Sequence, residues 1–90
     1  MQKSYQIKVY GRVQGVGFRW FAQNLAQECH IVGWVQNEND GTVDMKIQGD
    51  AVDMINFLEK VKRGPGPYSH VEKIVKQPIA SFDSNNFAIR

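Results

Sequence analysis

Tyr5-Gln6-Ile7-Lys8-Val9-Tyr10-Gly11-Arg12-Val13-Gln14-Gly15-Val16-Gly17-Phe18-Arg19 changes its period part-way along. Tyr5, Ile7 and Val9 alternate with Gln6, Lys8 and Tyr10, the period of two that belongs to a strand with one buried face, and the strand is expected to end at Gly11. From Phe18 to about His30 the apolar positions Phe18, Phe21, Ala22, Leu25 and Ala26 recur every three or four residues, with Gln23, Asn24, Gln27 and Glu28 opposite them, which predicts an amphipathic helix. The loop between the two carries Gly15 and Gly17 and leads into Arg19. Glycines let the backbone approach an anion closely, a helix N-terminus offers unpaired N–H groups, and a guanidinium adds fixed charge. The glycine spacing alone fits equally a plain strand-to-helix turn with a solvated arginine.

Beyond this stretch, Ile31 to Gln36 and Thr42 to Gln48 read as two strands, joined by Asn37-Glu38-Asn39-Asp40-Gly41, whose Asn, Asp and Gly suit a tight reversal. Asp50 is the expected N-cap of a second helix, in which Met54, Ile55, Phe57, Leu58 and Val61 form an apolar stripe. Lys60, Lys62 and Arg63 favour the negative end of that helix dipole, and Gly64-Pro65 stops it. Residues from His70 to about Gln77 look extended with poor alternation, for which a bulge or burial on both faces would account. Phe87 and Ile89 fit a short final strand. The order is β-α-β-β-α-β, in which two right-handed crossovers place both helices on one face of an antiparallel sheet. The expectation is an α+β fold, a ferredoxin-like α/β sandwich. Many unrelated functions share it, so the fold does not choose among them.

Ninety residues with 42% hydrophobic content make one small domain, spanning residues 1–90, with a single core. A net charge of +2 is too mild for a protein that coats nucleic acid and is compatible with small anionic ligands. The lone cysteine, Cys29, excludes an internal disulfide, and His30 and His70 stand without thiolate partners at zinc spacing, so no metal site is expected. No apolar stretch approaches the roughly 20 residues of a membrane span, and Met1 to Val9 lacks the apolar core of a signal peptide. A reducing, cytoplasmic setting is expected.

Asn37 shares strand parity with Ile31 and Val35, so if that parity faces the helices it ends its strand on the side of the first helix. Taken alone it also fits simple turn chemistry. Other phosphate motifs fail in detail: a Walker loop needs Lys-Ser or Lys-Thr after its last glycine, and the dinucleotide fingerprint needs a third glycine and a larger parallel sheet.

Two longer patterns carry a resemblance. Val9 to Arg19, Val-Tyr-Gly-Arg-Val-Gln-Gly-Val-Gly-Phe-Arg, resembles the first signature of the acylphosphatases over its whole length. Gly33-Trp34-Val35-Gln36-Asn37, followed by Gly41, Val43 and Gly49, resembles the second. Together they span roughly half the chain, and the length and element order are similar throughout. The resemblance implies that Gln14, Gly15, Val16, Gly17 and Phe18 form a phosphate loop, that Arg19 binds the substrate phosphate, and that Asn37 positions the attacking water. It implies hydrolysis of an acyl phosphate to a carboxylate and inorganic phosphate, with no cofactor and no metal. Inorganic phosphate is then expected as product and inhibitor, with the chain acting as a monomer and binding neither nucleic acid nor membrane. Gly64-Pro65-Gly66-Pro67-Tyr68 departs from the Gly-Pro-Pro run common in the family.

Such a sparse site suits the chemistry. An acyl phosphate is a mixed anhydride whose leaving carboxylate has a conjugate acid with a pKa of about 4, so no general acid is needed. Two rival readings share parts of the pattern. An RNA-recognition module has the same element order, but it would need stacking aromatics on its central strands, where Thr42, Asp44, Lys46 and Gln48 hold the polar parity and only Tyr10 offers a ring on the first strand. A phosphate sensor would keep the cradle and lack turnover. Cys29 as a nucleophile lacks an orienting histidine, since adjacent His30 leaves the helix in another direction. Trp20, Trp34 and Tyr68 are candidates for substrate contact, although aromatic rings also fill cores and shield sheet faces.

Overall fold

A computed structural model describes all residues 1–90. The elements are β1 (Gln2–Arg12), α1 (Phe18–Glu28), β2 (Val32–Asn37), β3 (Val43–Asp50), α2 (Ala51–Arg63), β4 (His70–Pro78) and β5 (Phe87–Ile89), and the sheet runs β4-β1-β3-β2-β5. Ile7 and Val9 of β1, Val35 of β2 and Val43, Met45 and Ile47 of β3 point to one face, where they join Ala22, Leu25 and Ala26 of α1 and Met54, Phe57 and Val61 of α2 in one buried cluster. α1 lies over β2 and β5, and α2 over β3, β4 and β1. This is the ferredoxin-like α+β arrangement.

β4, β1, β3 and β2 pair antiparallel with one another, as expected, but β5 pairs parallel to β2, so the sheet is mixed. The cause is where the chain crosses. β4 ends at the edge of the sheet where β1 and β2 begin, and residues 79–86 traverse the helix-free face there to reach the other edge. The chain must then enter β5 running in the direction of β2. Gln48 holds this crossing in place: its Nε2 donates to the Phe82 carbonyl at 2.8 Å and its Oε1 accepts from the Phe82 N–H at 3.0 Å and from Ser4 Oγ at 2.6 Å. A glutamine only 6% exposed is thereby satisfied, as a buried amide must be.

Element ends differ from the sequence reading where a backbone group is already in use. α1 stops at Glu28, short of His30, because His30 takes a left-handed conformation (φ 59°) and the Ile31 N–H turns back to the Ala26 carbonyl at 2.8 Å. With the longer His30 to Gln27 bond at 3.5 Å this is a Schellman closure with histidine where glycine is usual. Ile31 therefore contributes to the helix end and β2 begins at Val32. Likewise β3 begins at Val43, because the Thr42 N–H donates to Asp40 Oδ1 at 3.0 Å and the Thr42 carbonyl accepts from Glu38 at 2.9 Å, both within the turn. Asp50 stands at the N-cap of α2 but makes no side-chain cap bond, and the Ala51 N–H is taken by the Met1 carbonyl at 2.9 Å. The α2 stripe is narrower than its composition implies, since Ile55 is 63% exposed.

The poor alternation of β4 comes from a bulge. Tyr10 faces Lys73 and Gly11 faces Val71, which leaves Glu72 as an extra residue and sets the core-touching Val71 and Ile74 three apart. Burial on both faces, the other explanation, does not apply to this edge strand.

Gly33 and His30 test the backbone in opposite directions. Gly33 has φ 134°, and a Cβ there would stand 1.7 Å from the Lys46 carbonyl oxygen of β3. Gly33→Ala is expected to cost at least about 3 kcal/mol, whereas His30→Gly relieves left-handed strain at an exposed position and is expected to gain about 0.5–1 kcal/mol. Urea unfolding should move the two midpoints apart, and a wild-type midpoint for Gly33→Ala would contradict the close approach of β2 to β3.

Candidate active site

β1, β2 and β5 all run toward the same edge of the sheet, where the loop after β1, the turn after β2 and the end of β5 meet. They enclose a cavity of about 220 Å³ lined by Val13, Gly15, Gly17, Phe18, Arg19, Trp20, Asn37 and Ile89. Val13 and Phe18 are buried and fix the loop at both ends. Phe18 stacks edge-on against Phe21, with centroids 5.7 Å apart, and so seats the first turn of α1 in the core.

Gly15 and Gly17 both lie at positive φ, 73° and 77°. Gly17 is the N-cap of α1 and has no side chain to cap it, and the first helical bond runs from the Phe21 N–H to the Gly17 carbonyl at 3.0 Å. The N–H groups from Gly17 to Trp20 thus precede the helical ladder. No acidic residue occupies the first turn of α1, so no carboxylate of this helix competes for its positive end. Arg19 is the only charged residue lining the cavity. Its Nη1 donates to the Arg90 carbonyl at 3.0 Å, and Arg90 is held in turn by its N–H on the Val35 carbonyl at 2.8 Å and by its guanidinium, 4.5 Å over the Trp34 ring on the other face of the sheet.

Asn37 closes β2 opposite Val43, on the helix-facing parity it shares with Val35. Its Oδ1 is buried and has no hydrogen-bond partner in the protein. A buried acceptor in that state costs free energy, and groups of this kind gather where a ligand or water completes them. The turn that carries Asn37 is tightly held. Asp40 Oδ1 accepts from the Thr42 N–H at 3.0 Å and from Thr42 Oγ1 at 2.6 Å, bonds that hold the Asp40 carboxyl below its ordinary range, with Lys8 Nζ 3.6 Å away from Oδ2.

The remaining loop residues are placed differently. Gln14 Nε2 donates to the Glu38 carbonyl at 2.7 Å and the Thr42 carbonyl at 2.9 Å, so its side chain braces the loop against the Asn37 turn and does not line the cavity. Val16 packs against the core. Trp34 lies on the opposite face of the sheet, and Tyr68 is exposed outside the cavity. Cys29 is buried, and that burial pushes its thiol up, away from a reactive thiolate. No three His, Cys, Asp or Glu side chains converge to form a metal site, and no helix is long and apolar enough to cross a membrane. Ile89 and Arg90 escape sequence reasoning. The alternation of Phe87 and Ile89 marks a strand, but only the parallel pairing with β2 brings its end to Arg19.

The chain matches a family model described as Acylphosphatase over residues 5–89. It is 51% identical over 88 residues to the acylphosphatase of Leuconostoc mesenteroides subsp. mesenteroides, covering 98% of both chains. Its fold superposes on the crystal structure of acylphosphatase from Bacillus subtilis with a TM-score of 0.92 at 40% identity, covering 100% of this chain and 99% of that one. The acylphosphatase structure from Coxiella burnetii gives a TM-score of 0.93 at 29% identity, covering 99% and 93%. A glycine-bearing loop at an uncapped helix end, an arginine beside it and these likenesses along the whole chain lead to one conclusion: the chain belongs to the acylphosphatase family, enzymes that hydrolyse acyl phosphates.

Proposed function

We propose that the phosphate of the substrate rests on the loop from Gln14 to Phe18 and on the guanidinium of Arg19, and that Asn37 orients the attacking water. The observation that carries this division of roles is the buried, unpartnered Oδ1 of Asn37 in the same cavity as the open N–H groups of α1. Loop and helix amides with Arg19 meet the phosphoryl oxygens as charge shifts among them. Asn37 Oδ1 accepts one hydrogen of the water and aims its oxygen at phosphorus. An amide oxygen is too weak a base to take that proton, so Asn37 acts by placement. The new oxygen–phosphorus bond forms as the bond to the acyl oxygen breaks, the electron pair leaves on the carboxylate, and both water hydrogens end on dihydrogenphosphate. Gln14 serves this step through its backbone within the loop and through its side-chain brace, which fixes the distance between cradle and water.

The reaction is taken to need no metal, because the leaving carboxylate is stable without protonation and the cavity offers an arginine, amides and a carboxamide as its polar groups. Inorganic phosphate, which fits the same cradle, is expected to inhibit. The chain is taken to work as a cytoplasmic monomer. Nucleic acid is not an expected partner, since the helix-free face is crossed by residues 79–86 and its rings on β1 and β2, Tyr10 and Trp34, are covered by Lys73 and Arg90.

Hydrolysis of acetyl phosphate should proceed at an unchanged rate in excess chelator, and simple phosphate monoesters, whose alkoxides need a proton to leave, should react far more slowly. Activity lost to chelator and restored by a divalent cation would count against this reading. Arg19→Lys keeps charge but loses the planar fork, and it should fall at least roughly hundredfold in kcat/KM, with Arg19→Ala lower still.

Phosphate binding separates the two side chains. At constant ionic strength, inorganic phosphate at about 100 times its dissociation constant should stabilise both wild type and Asn37→Ala by about 2.7 kcal/mol in thermal unfolding. Arg19→Ala should lose most of that shift. Asn37→Ala should instead lose turnover, and normal turnover in that variant, or loss of its phosphate response, would overturn the assignment.

A further inference from the structure

Two side chains at the rim of the cavity are uncharged and mainly apolar. Trp20 is 68% exposed and Ile89 is 40% exposed, whereas Val13 and Phe18, the other apolar members of the lining, are buried and packed in the core. They come from different elements, the first turn of α1 and the end of β5. Helical side chains lean toward the N-terminus of their helix, so the indole of Trp20 leans over the helix end that attracts the phosphate.

Direction follows from the sheet order. Asn37 ends β2, an inner strand, while Ile89 lies on the edge strand outside it and Trp20 on the exposed side of α1. In-line displacement puts the leaving oxygen on the far side of phosphorus from the water. With water held at the inner wall, the acyl group departs over the outer rim, where the two exposed apolar side chains stand.

We propose that Trp20 and Ile89 form an acyl-group subsite that favours acyl phosphates with a flat aromatic acyl group over those with a small aliphatic one. The proposal rests on the roles given above to Arg19 and Asn37. A planar ring between an indole and a branched aliphatic chain removes apolar surface from water on both sides and adds the ring-to-ring geometry that aromatic pairs prefer. An acetyl group has far less apolar surface to place against them.

The test compares kcat/KM for benzoyl phosphate and acetyl phosphate in wild type, Trp20→Ala, Trp20→Phe and Ile89→Ala. Wild type should favour benzoyl phosphate, Trp20→Ala should cut the benzoyl-to-acetyl ratio about tenfold, and Ile89→Ala should cut it by less. Trp20→Phe, which restores a ring, should recover most of the ratio. The loss should fall mainly on KM, because the ring contact is made equally in the bound ground state and the transition state. A second measurement needs no turnover: the inhibition or melting response to benzylphosphonate, relative to inorganic phosphate, should collapse in Trp20→Ala. Equal losses on both substrates, or an undiminished advantage of benzylphosphonate in Trp20→Ala, would overturn the subsite. A wild-type protein inert toward both acyl phosphates, yet binding benzylphosphonate through Trp20, would overturn the hydrolytic mechanism and leave the subsite standing.

Discussion

β3 lies between β1 and β2 and is antiparallel to both, and from that single constraint the rest of the molecule follows. Two strands antiparallel to a common neighbour run in the same direction, so their ends emerge together. The end of β1 supplies the glycine-bearing loop and the end of β2 supplies Asn37. A hairpin joining β1 directly to β2 would have sent them in opposite directions and separated the two groups by the length of the sheet. The crossover through α1 avoids this, and it brings a helix N-terminus to the same edge.

The site built there depends more on backbone than on side chains. Proline aside, no substitution removes the loop and helix N–H groups, and their aim is set by the positive φ of Gly15 and Gly17 and by the anchoring of Val13 and Phe18 in the core. The lining therefore carries only one charged residue. A charge on a long side chain is useful only when it is held, and Arg19 is held by the Arg90 carbonyl, which Val35 and the Trp34 ring fix from behind. Gln14 plays the corresponding part on the other wall, tying the loop to the turn that presents Asn37.

What could be read from residues alone was local. The period change between Val9 and Phe18, the stripes of α1 and α2 and the Asn-Asp-Gly reversal are all short-range patterns, and the element order follows from them. Counting by twos gives Asn37 the parity of Ile31 and Val35, and so the side of the first helix if that parity faces the helices. The parallel entry of β5 was out of reach because it depends on which edge of the sheet residues 79–86 cross. The brace from Gln14 was equally hidden, since its partners lie 24 and 28 residues away. Asp50 shows the limit of local rules: it occupies a capping position, but Met1, 49 positions before it in sequence, supplies the partner for the Ala51 N–H through the pairing of β1 with β3.

The crossing segment also leaves β5 as the most weakly tied strand of the sheet. β5 has three residues, pairs with one strand, and reaches that strand only after residues 79–86 have traversed the opposite face. Its three pairs set few ladder bonds against the entropy of ordering the segment that leads to it. The helices and the four antiparallel strands need no part of that segment to pair with one another. With them in place the loop, the open helix end and Asn37 are complete, and what β5 adds is the hold of Arg90 on Arg19. Fraying of β5 releases that hold, so the mobility of Arg19 is governed by the smallest strand of the sheet.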